Sequence, residues 1–417
     1  MALKIIKEEK FKDITISLRF KNKTSKKHVI MKAILAELLA SGCEKYPDKQ
    51  SLSMHLNRLY GAIYMSSSTS YGNVHVLEFK TRILHSKFIE YKQDLLGEQI
   101  KLLENFILHP LFKDGMFVEK ELEEAKRNIL QHIKRNEDEP AQFAAYQASK
   151  LFGKEQALGI QVANYIDELK ALNVSEVTQY YHEMLRDDSI DILVLGDVEK
   201  QTLTKHVKTL FAYDRIQAMK SSYVLKKTQE KKTYKFHKDI SQTHIFMMFA
   251  THQNNQNEDF WQLYLANAIL GMTPSSLLFR EVRERHSLCY SVYSNILAYD
   301  GALLISTGID PNNLEKTIAL IHEQVEKVRK GDFSEQLLET TKRVLMNSLK
   351  NTKDDSNAYI NMAYRSMLLH SENTIDDYIK MIESVGKEEI MEKMRQCELL
   401  GKVIVQKENV DEENYEC

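Results

Sequence analysis

FVEKELEEAKRNIL (117–130) and FSEQLLETTKRVLM (333–346) align without a gap, and their reading decides the fold. Phe117, Glu123, Lys126 and Arg127 correspond to Phe333, Glu339, Lys342 and Arg343, and Asp138 and Asp354 follow at equal spacing. A repeat of such long period implies duplication of a whole domain.

The flanks repeat in the same order. DITISLRF (13–20) and THIFMMF (243–249) both read as strands, the first with Ile14, Ile16, Leu18 and Phe20 alternating. Each leads through a polar loop to an apolar helix, MKAILAELLASG (31–42) and FWQLYLANAILG (260–271). Both helices reach a glycine, which predicts a left-handed stop. AIYMSSSTSYGNVHVLEFKT (62–81) and YSVYSNILAYDGALLISTG (290–308) read as hairpins turning at Tyr71-Gly72-Asn73 and Asp300-Gly301. Asp310-Pro311-Asn312 starts a helix whose Leu314, Ile318, Ile321, Val325 and Val328 share one face. SIDILVLGDV (189–198) and LLGKVIVQKENV (399–410) close the halves.

The expected architecture is α+β: two homologous domains, 1–212 and 235–417, each a mostly antiparallel sheet with helices packed on one face. The lysine-rich connection 213–234 is expected to be solvated, and the acidic end DEENYEC (411–417) to be frayed.

The 417 residues suffice for two or three cores, and a net charge of −2 gives no basis for binding nucleic acid or a membrane surface. No apolar run approaches the ~18 residues of a membrane span, and MALKIIKEEKFKD lacks a signal peptide's apolar core. Cys43, Cys289, Cys397 and Cys417 have neither metal-ligand nor disulfide-framework spacing, so a cytoplasmic, reducing compartment is expected. Phosphate-loop, dinucleotide-fold and G-x-S-x-G fingerprints are absent, and Cys289 has only His286 nearby as a base.

LLFREVRERHSLCYS (277–291) carries the candidate chemistry. On an α-helix Arg280 pairs with Glu284 and Glu281 with Arg285. Arg283 finds no carboxylate at three or four positions, and Tyr290 follows seven residues later. The spacing fits a structural role first; it also fits a guanidinium and a phenol serving a developing oxyanion.

ILGMTPSSLLFREVRERHSLCYSVYS (269–294) resembles the C-terminal domain of pitrilysin/insulinase-type zinc peptidases, which include small bacterial two-subunit enzymes. The likeness extends over nearly the whole chain, departing at GMTPSS, where the family has more glycine. The resemblance implies a clam-shell peptidase with zinc held by an N-terminal domain. It also implies an arginine and a tyrosine, here Arg283 and Tyr290, reaching the zinc site from a C-terminal domain. The family's H-x-x-E-H motif is missing. Aligned on Tyr60-Gly61, its place falls on ILAEL (34–38), where Ile34 and Leu38 replace the histidines and Glu37 alone matches. The implied third ligand would come from Glu119, Glu121, Glu123 or Glu124, which also read as a solvated face. Neither His237, His244 and His252 nor His28, His55 and His75 form a local metal motif.

The expected function is therefore that of a non-catalytic subunit with no metal or cofactor of its own. Its partner would be a paralogous H-x-x-E-H chain that carries the zinc, and its substrate an unfolded peptide. The alternative is a peptide-binding or scaffold protein of the same fold with no share in catalysis.

Overall fold

The computed structural model describes residues 2–90, 93–201, 203, 219–226 and 231–407. By internal packing the chain forms two compact units, 1–133 with 160–221 and 352–370, and 134–159 with 222–351 and 371–417.

Unit 1 is built on β1 (Ala2–Lys7), β2 (Asp13–Lys23), β3 (Ile63–Tyr71), β4 (Val74–Leu84) and β7 (Ser189–Gly196), in the order β1-β7-β2-β4-β3. A two-residue hairpin, β5 (Phe112–Lys113) and β6 (Met116–Phe117), lies outside the sheet. Only β1 and β7 run parallel; the other neighbours are antiparallel. Alternation sends Ile14, Ile16, Leu18 and Phe20 of β2 into one core. That core is closed by α1 (Lys26–Ser41), α3 (Leu95–Leu108), α4 (Glu119–Asp138) and α7 (Val174–Asp187); α2 (Lys49–Arg58) stands between α1 and β3 in sequence.

Unit 2 repeats the plan with β8 (Lys232–Lys238), β9 (Thr243–Ala250), β10 (Cys289–Leu297), β11 (Ala302–Ile309) and β12 (Glu398–Lys407), ordered β10-β11-β9-β12-β8. Again one pair, β8 and β12, is parallel. Ile245, Met247, Phe249, Leu303 and Ile305 face a core shared with α8 (Phe260–Asn267), α9 (Leu314–Lys330), α10 (Glu335–Thr352), α12 (Ile375–Ser384) and α13 (Lys387–Gln396).

The repeated residues do the same work in both units. Phe117 and Phe333 are buried. Lys126 Nζ pairs with Glu123 at 2.7 Å and donates to the Lys170 carbonyl at 3.1 Å, next to the end of α6 (Ile166–Ala171). Lys342 Nζ pairs with Glu339 at 3.1 Å and donates at 3.1 Å to the Glu383 carbonyl, next to the end of α12. Each ammonium satisfies a helix-terminal carbonyl and complements the negative end of the dipole.

One helix in each unit covers the sheet's second face, and each comes from the other half of the sequence. α5 (Pro140–Phe152) places Ala144, Ala148 and Phe152 against Phe246, Met248, Leu304 and Val403 in unit 2. In unit 1 the second face is charged. α11 (Ser356–Leu368) meets it through Asn361, which accepts from Arg19 at 2.6 Å, and Asn357, which accepts from Lys80 at 2.8 Å. Glu78 pairs with Arg19 at 2.7 Å and with Lys80 at 3.2 Å, and the Arg19 guanidinium lies 3.9 Å from the Tyr364 ring centroid. The units thus differ from contiguous halves divided at 213–234 in these two segments.

Three local expectations are corrected. Of the connection, 213–218 and 227–230 fall outside the described residues, as does the 411–417 end; within it Ser221, Ser222 and Leu225 are buried, and 232–234 already belong to β8. Leu225 is buried because its segment lies on the β10–β11 turn, Tyr223 N–H donating to the Tyr299 carbonyl and Leu225 N–H to that of Asp300, both at 2.9 Å. Neither helix-ending glycine is left-handed: Gly42 is extended at φ 179, and Gly271 lies inside a π-helical turn, Ala268–Met272. Gly271 serves close packing instead, since a Cβ there would sit 2.6 Å from Ser294 Oγ.

Candidate functional site

The segment bearing Arg283 is a π-helical turn, Phe279–Arg285, rather than an α-helix. Such i→i+5 winding is rare and recurs at functional sites. It also alters the expected ion pairs. Arg285 reaches Glu281 at 3.3 Å, but among the described residues Arg280 forms no ion pair with Glu284.

Arg283 pairs with no carboxylate among the described residues. Its guanidinium carbon lies over the Phe279 ring at 4.4 Å and over the Tyr290 ring at 5.6 Å, both within cation–π reach. The structure therefore brings Arg283 and Tyr290 together. Phe279, unremarked in the sequence, completes the group; its signal was position i−4 to an unpaired arginine.

Tyr290 owes its exposure to a β-bulge. Cys289 pairs with Ile309 and Val292 with Thr307, so Tyr290 and Ser291 stand opposite Gly308 alone. The extra residue re-aims the side chain, and Tyr290 is 83% exposed, the most of any large hydrophobic residue described. β10 is also the open edge of its sheet. Beside it, burial pushes the Cys289 thiol up, with Thr307 and Arg283 opposing, so the sulfur is held as the less reactive thiol.

The zinc-motif position in unit 1 has a different chemistry. Ile34 and Leu38 point into the core, 0% and 4% exposed, and offer no lone pair. Glu37 faces an open hollow lined also by Lys49, Glu121, Glu124 and Asn128. Asn128 donates to Glu37 at 3.0 Å, Lys49 pairs with Glu124 at 3.2 Å, and Glu123 is taken by Lys126. A zinc ion needs nitrogen, thiolate or carboxylate donors converging tetrahedrally; two of the positions are hydrocarbon and ammonium groups already serve two of the acids. Zinc does not fit these residues.

The other histidines are separately occupied. His75 sits between Ser70 Oγ at 2.8 Å and Ser68 Oγ at 3.3 Å, and burial lowers its pKa to about 3, so it stays neutral. His28 Nδ1 lies 2.7 Å from the Lys23 carbonyl, and His55 stacks on Tyr46. His237 meets Gln406 at 2.9 Å, His252 lies 3.8 Å from Glu398, and burial lowers the pKa of His244. Among the described residues no three His, Cys, Asp or Glu side chains are grouped to hold a metal, and no helix is long and apolar enough to cross a membrane.

Comparison with known proteins fits this geometry. The profile of the peptidase M16 inactive domain matches residues 171–345. The probable inactive metalloprotease YmfF of Bacillus subtilis strain 168 is 26% identical over 389 residues, 93% of this chain and 91% of that protein. The uncharacterized zinc protease YmxG of the same organism is 27% identical over 290 residues, 68% of this chain and 69% of its own. A conserved protein from Enterococcus faecalis V583 shares the fold with a TM-score of 0.91 at 24% identity, over 99% of this chain and 97% of that one. The peptidase M16 inactive domain from Pseudomonas fluorescens superposes with a TM-score of 0.77 at 16% identity, over 98% and 96% of the two chains. The chain is thus similar to the pitrilysin/insulinase-type, or M16, peptidases and to inactive members among them, and it lacks the H-x-x-E-H zinc motif.

Proposed function

We propose that this chain is the zinc-free subunit of a two-chain peptidase, inactive alone, and that it lends Arg283 and Tyr290 to the active site of an H-x-x-E-H partner. The observation that carries the reading is the contrast between the two sites. The metal position has become hydrocarbon core, while the arginine and tyrosine are juxtaposed, paired with no acid among the described residues and, at Tyr290, largely exposed. A side chain kept for stability alone has little reason to be 83% exposed on a bulged edge strand. The open edges β3 and β10 supply main-chain groups for an extended, unfolded peptide, which gives sequence-tolerant affinity. The free thiols of Cys43, Cys289 and Cys397 suit a cytoplasmic, reducing setting.

The partner's H-x-x-E-H side chains would hold the zinc that activates water, and this chain's donors would steady the oxyanion of the substrate carbonyl. The test is reconstitution with the H-x-x-E-H chain that co-purifies with it. Tyr290→Phe is expected to lower the partner's kcat by about tenfold to a hundredfold, an order of magnitude set by the loss of one oxyanion donor. Arg283→Ala should do at least as much. Unchanged turnover in both variants, with the complex intact, would leave this chain as a scaffold or peptide-binding protein.

A further inference from the structure

We propose that Arg283 is the receptor for a carboxylate on the bound peptide, from its C-terminus or from an Asp or Glu side chain, and that Phe279 is its positioning residue. This rests on the peptide-binding half of the function proposed above.

The argument begins with what holds Arg283. Its contacts are the faces of two rings, Phe279 at 4.4 Å and Tyr290 at 5.6 Å. A ring face fixes a guanidinium through its quadrupole but neither cancels the charge nor accepts in-plane N–H groups. Glu281, the neighbouring acid that could neutralise it, is engaged by Arg285 at 3.3 Å. Glu284 pairs with neither Arg280 nor Arg283 among the described residues. The site is therefore a half-buried cation, held in place, with no acceptor for its planar fork among the described residues and the exposed Tyr290 ring beside it.

A fixed cation beside a hydroxyl that can donate favours an anionic ligand. A peptide carbonyl would use one N–H and leave the charge. A carboxylate matches the fork with two parallel hydrogen bonds and cancels the charge. Tying Arg283 down through Phe279 lowers the ordering cost of that encounter. A lysine would carry the charge but lose the fork.

The experiment uses the full chain and fluorescein-labelled unfolded peptides read by anisotropy. Three peptides of one sequence are compared: free acid, C-terminal amide without acidic residues, and amide with one internal aspartate. Tighter binding of a carboxylate-bearing peptide by about tenfold over the plain amide is expected, about 1.4 kcal/mol. Arg283→Gln and Arg283→Lys should erase most of that difference between the carboxylate-bearing peptides and the plain amide. Phe279→Leu should reduce it, with circular dichroism and the fluorescence of Trp261, the chain's single tryptophan, confirming the fold. Preference for the free acid alone identifies the C-terminus; recovery with the internal aspartate identifies a side chain. Equal binding of all three peptides overturns the proposal. If that occurs while Arg283→Ala still slows the partner's turnover, the subunit reading stands without it; if discrimination holds and turnover is unmoved, the receptor stands and catalytic sharing fails.

Discussion

Replacing Lys32 by methionine is expected to cost unit 1 about 3–5 kcal/mol of stability, because it strands a buried acid. Lys32 is fully buried on α1, in a helix otherwise apolar on that side. Its ammonium pairs with Asp188 at 2.7 Å and donates to the carbonyls of Phe20 at 3.0 Å and His75 at 3.3 Å. One side chain thus joins α1 to β2, β4 and the entry to β7. Burial pushes the Lys32 pKa down and the Asp188 pKa up, each opposed by the partner's charge. Without Lys32, Asp188 keeps the 3.0 Å hydrogen bond from Asn22 Nδ2 but loses its ammonium. The check is urea denaturation followed by circular dichroism for Lys32→Met, Asp188→Asn and the double variant. Removal of both charges should be no worse than Lys32→Met alone, since the second change removes the unpaired acid. Additive losses would refute the pairing.

Asp300→Asn should stabilise unit 2 at pH 7 by about 3 kcal/mol, the worth of roughly two pKa units at 1.36 kcal/mol each. Asp300 closes the β10–β11 hairpin and is half-buried; burial pushes its carboxyl from 3.8 up to about 6, against the hydrogen bond from Tyr223. The raised value means that the folded state prefers the protonated acid. Its contribution is fully present below the ordinary value near 4, is lost as pH rises from there through about 6, and is constant above. An asparagine stays neutral throughout and retains a carbonyl for the Tyr223 hydroxyl. Stability measured from pH 4 to 7.5 should therefore fall in the parent and stay flatter in the variant, the two curves diverging between pH 4 and 6. Parallel curves would show that Asp300 keeps an ordinary acidity.

The duplication was legible because its marker residues are structural. Phe117 and Phe333 fill cores, and Lys126 and Lys342 satisfy helix ends, so both copies keep the letters. The edge strands β1, ALKIIK, and β8, KTYKFHK, were missed: strands at or beyond a sheet's rim carry lysines that resemble loop composition. Arg283 stood out through the lack of a helical acid, and Tyr290 through its place seven residues on and the family resemblance. Their arrangement did not, since it depends on π winding and on a bulge that no periodicity encodes. Lys32 was hidden for another reason: its counter-charge, Asp188, is remote in sequence and sits between helix and strand. Amphipathic patterning likewise says that one side of α5 and α11 is buried, not which sheet buries it.

The crossing of α5 and α11 sets an order of assembly. During synthesis the strands of unit 1 are complete once Gly196 has been made, yet the helix that covers Arg19, Glu78 and Lys80 ends at Leu368. Until then these charges have no Asn357, Asn361 or Tyr364 to meet. A ribosome adding about 5–20 residues per second leaves that face wet for many seconds, and a wet face suits arginine, glutamate and lysine. The matching face of unit 2 is apolar, and its cover, α5, has been made before the first strand of its sheet. The chemistry of each second face thus tracks how long it waits for its lid: charged where the wait is long, greasy where the lid arrives first.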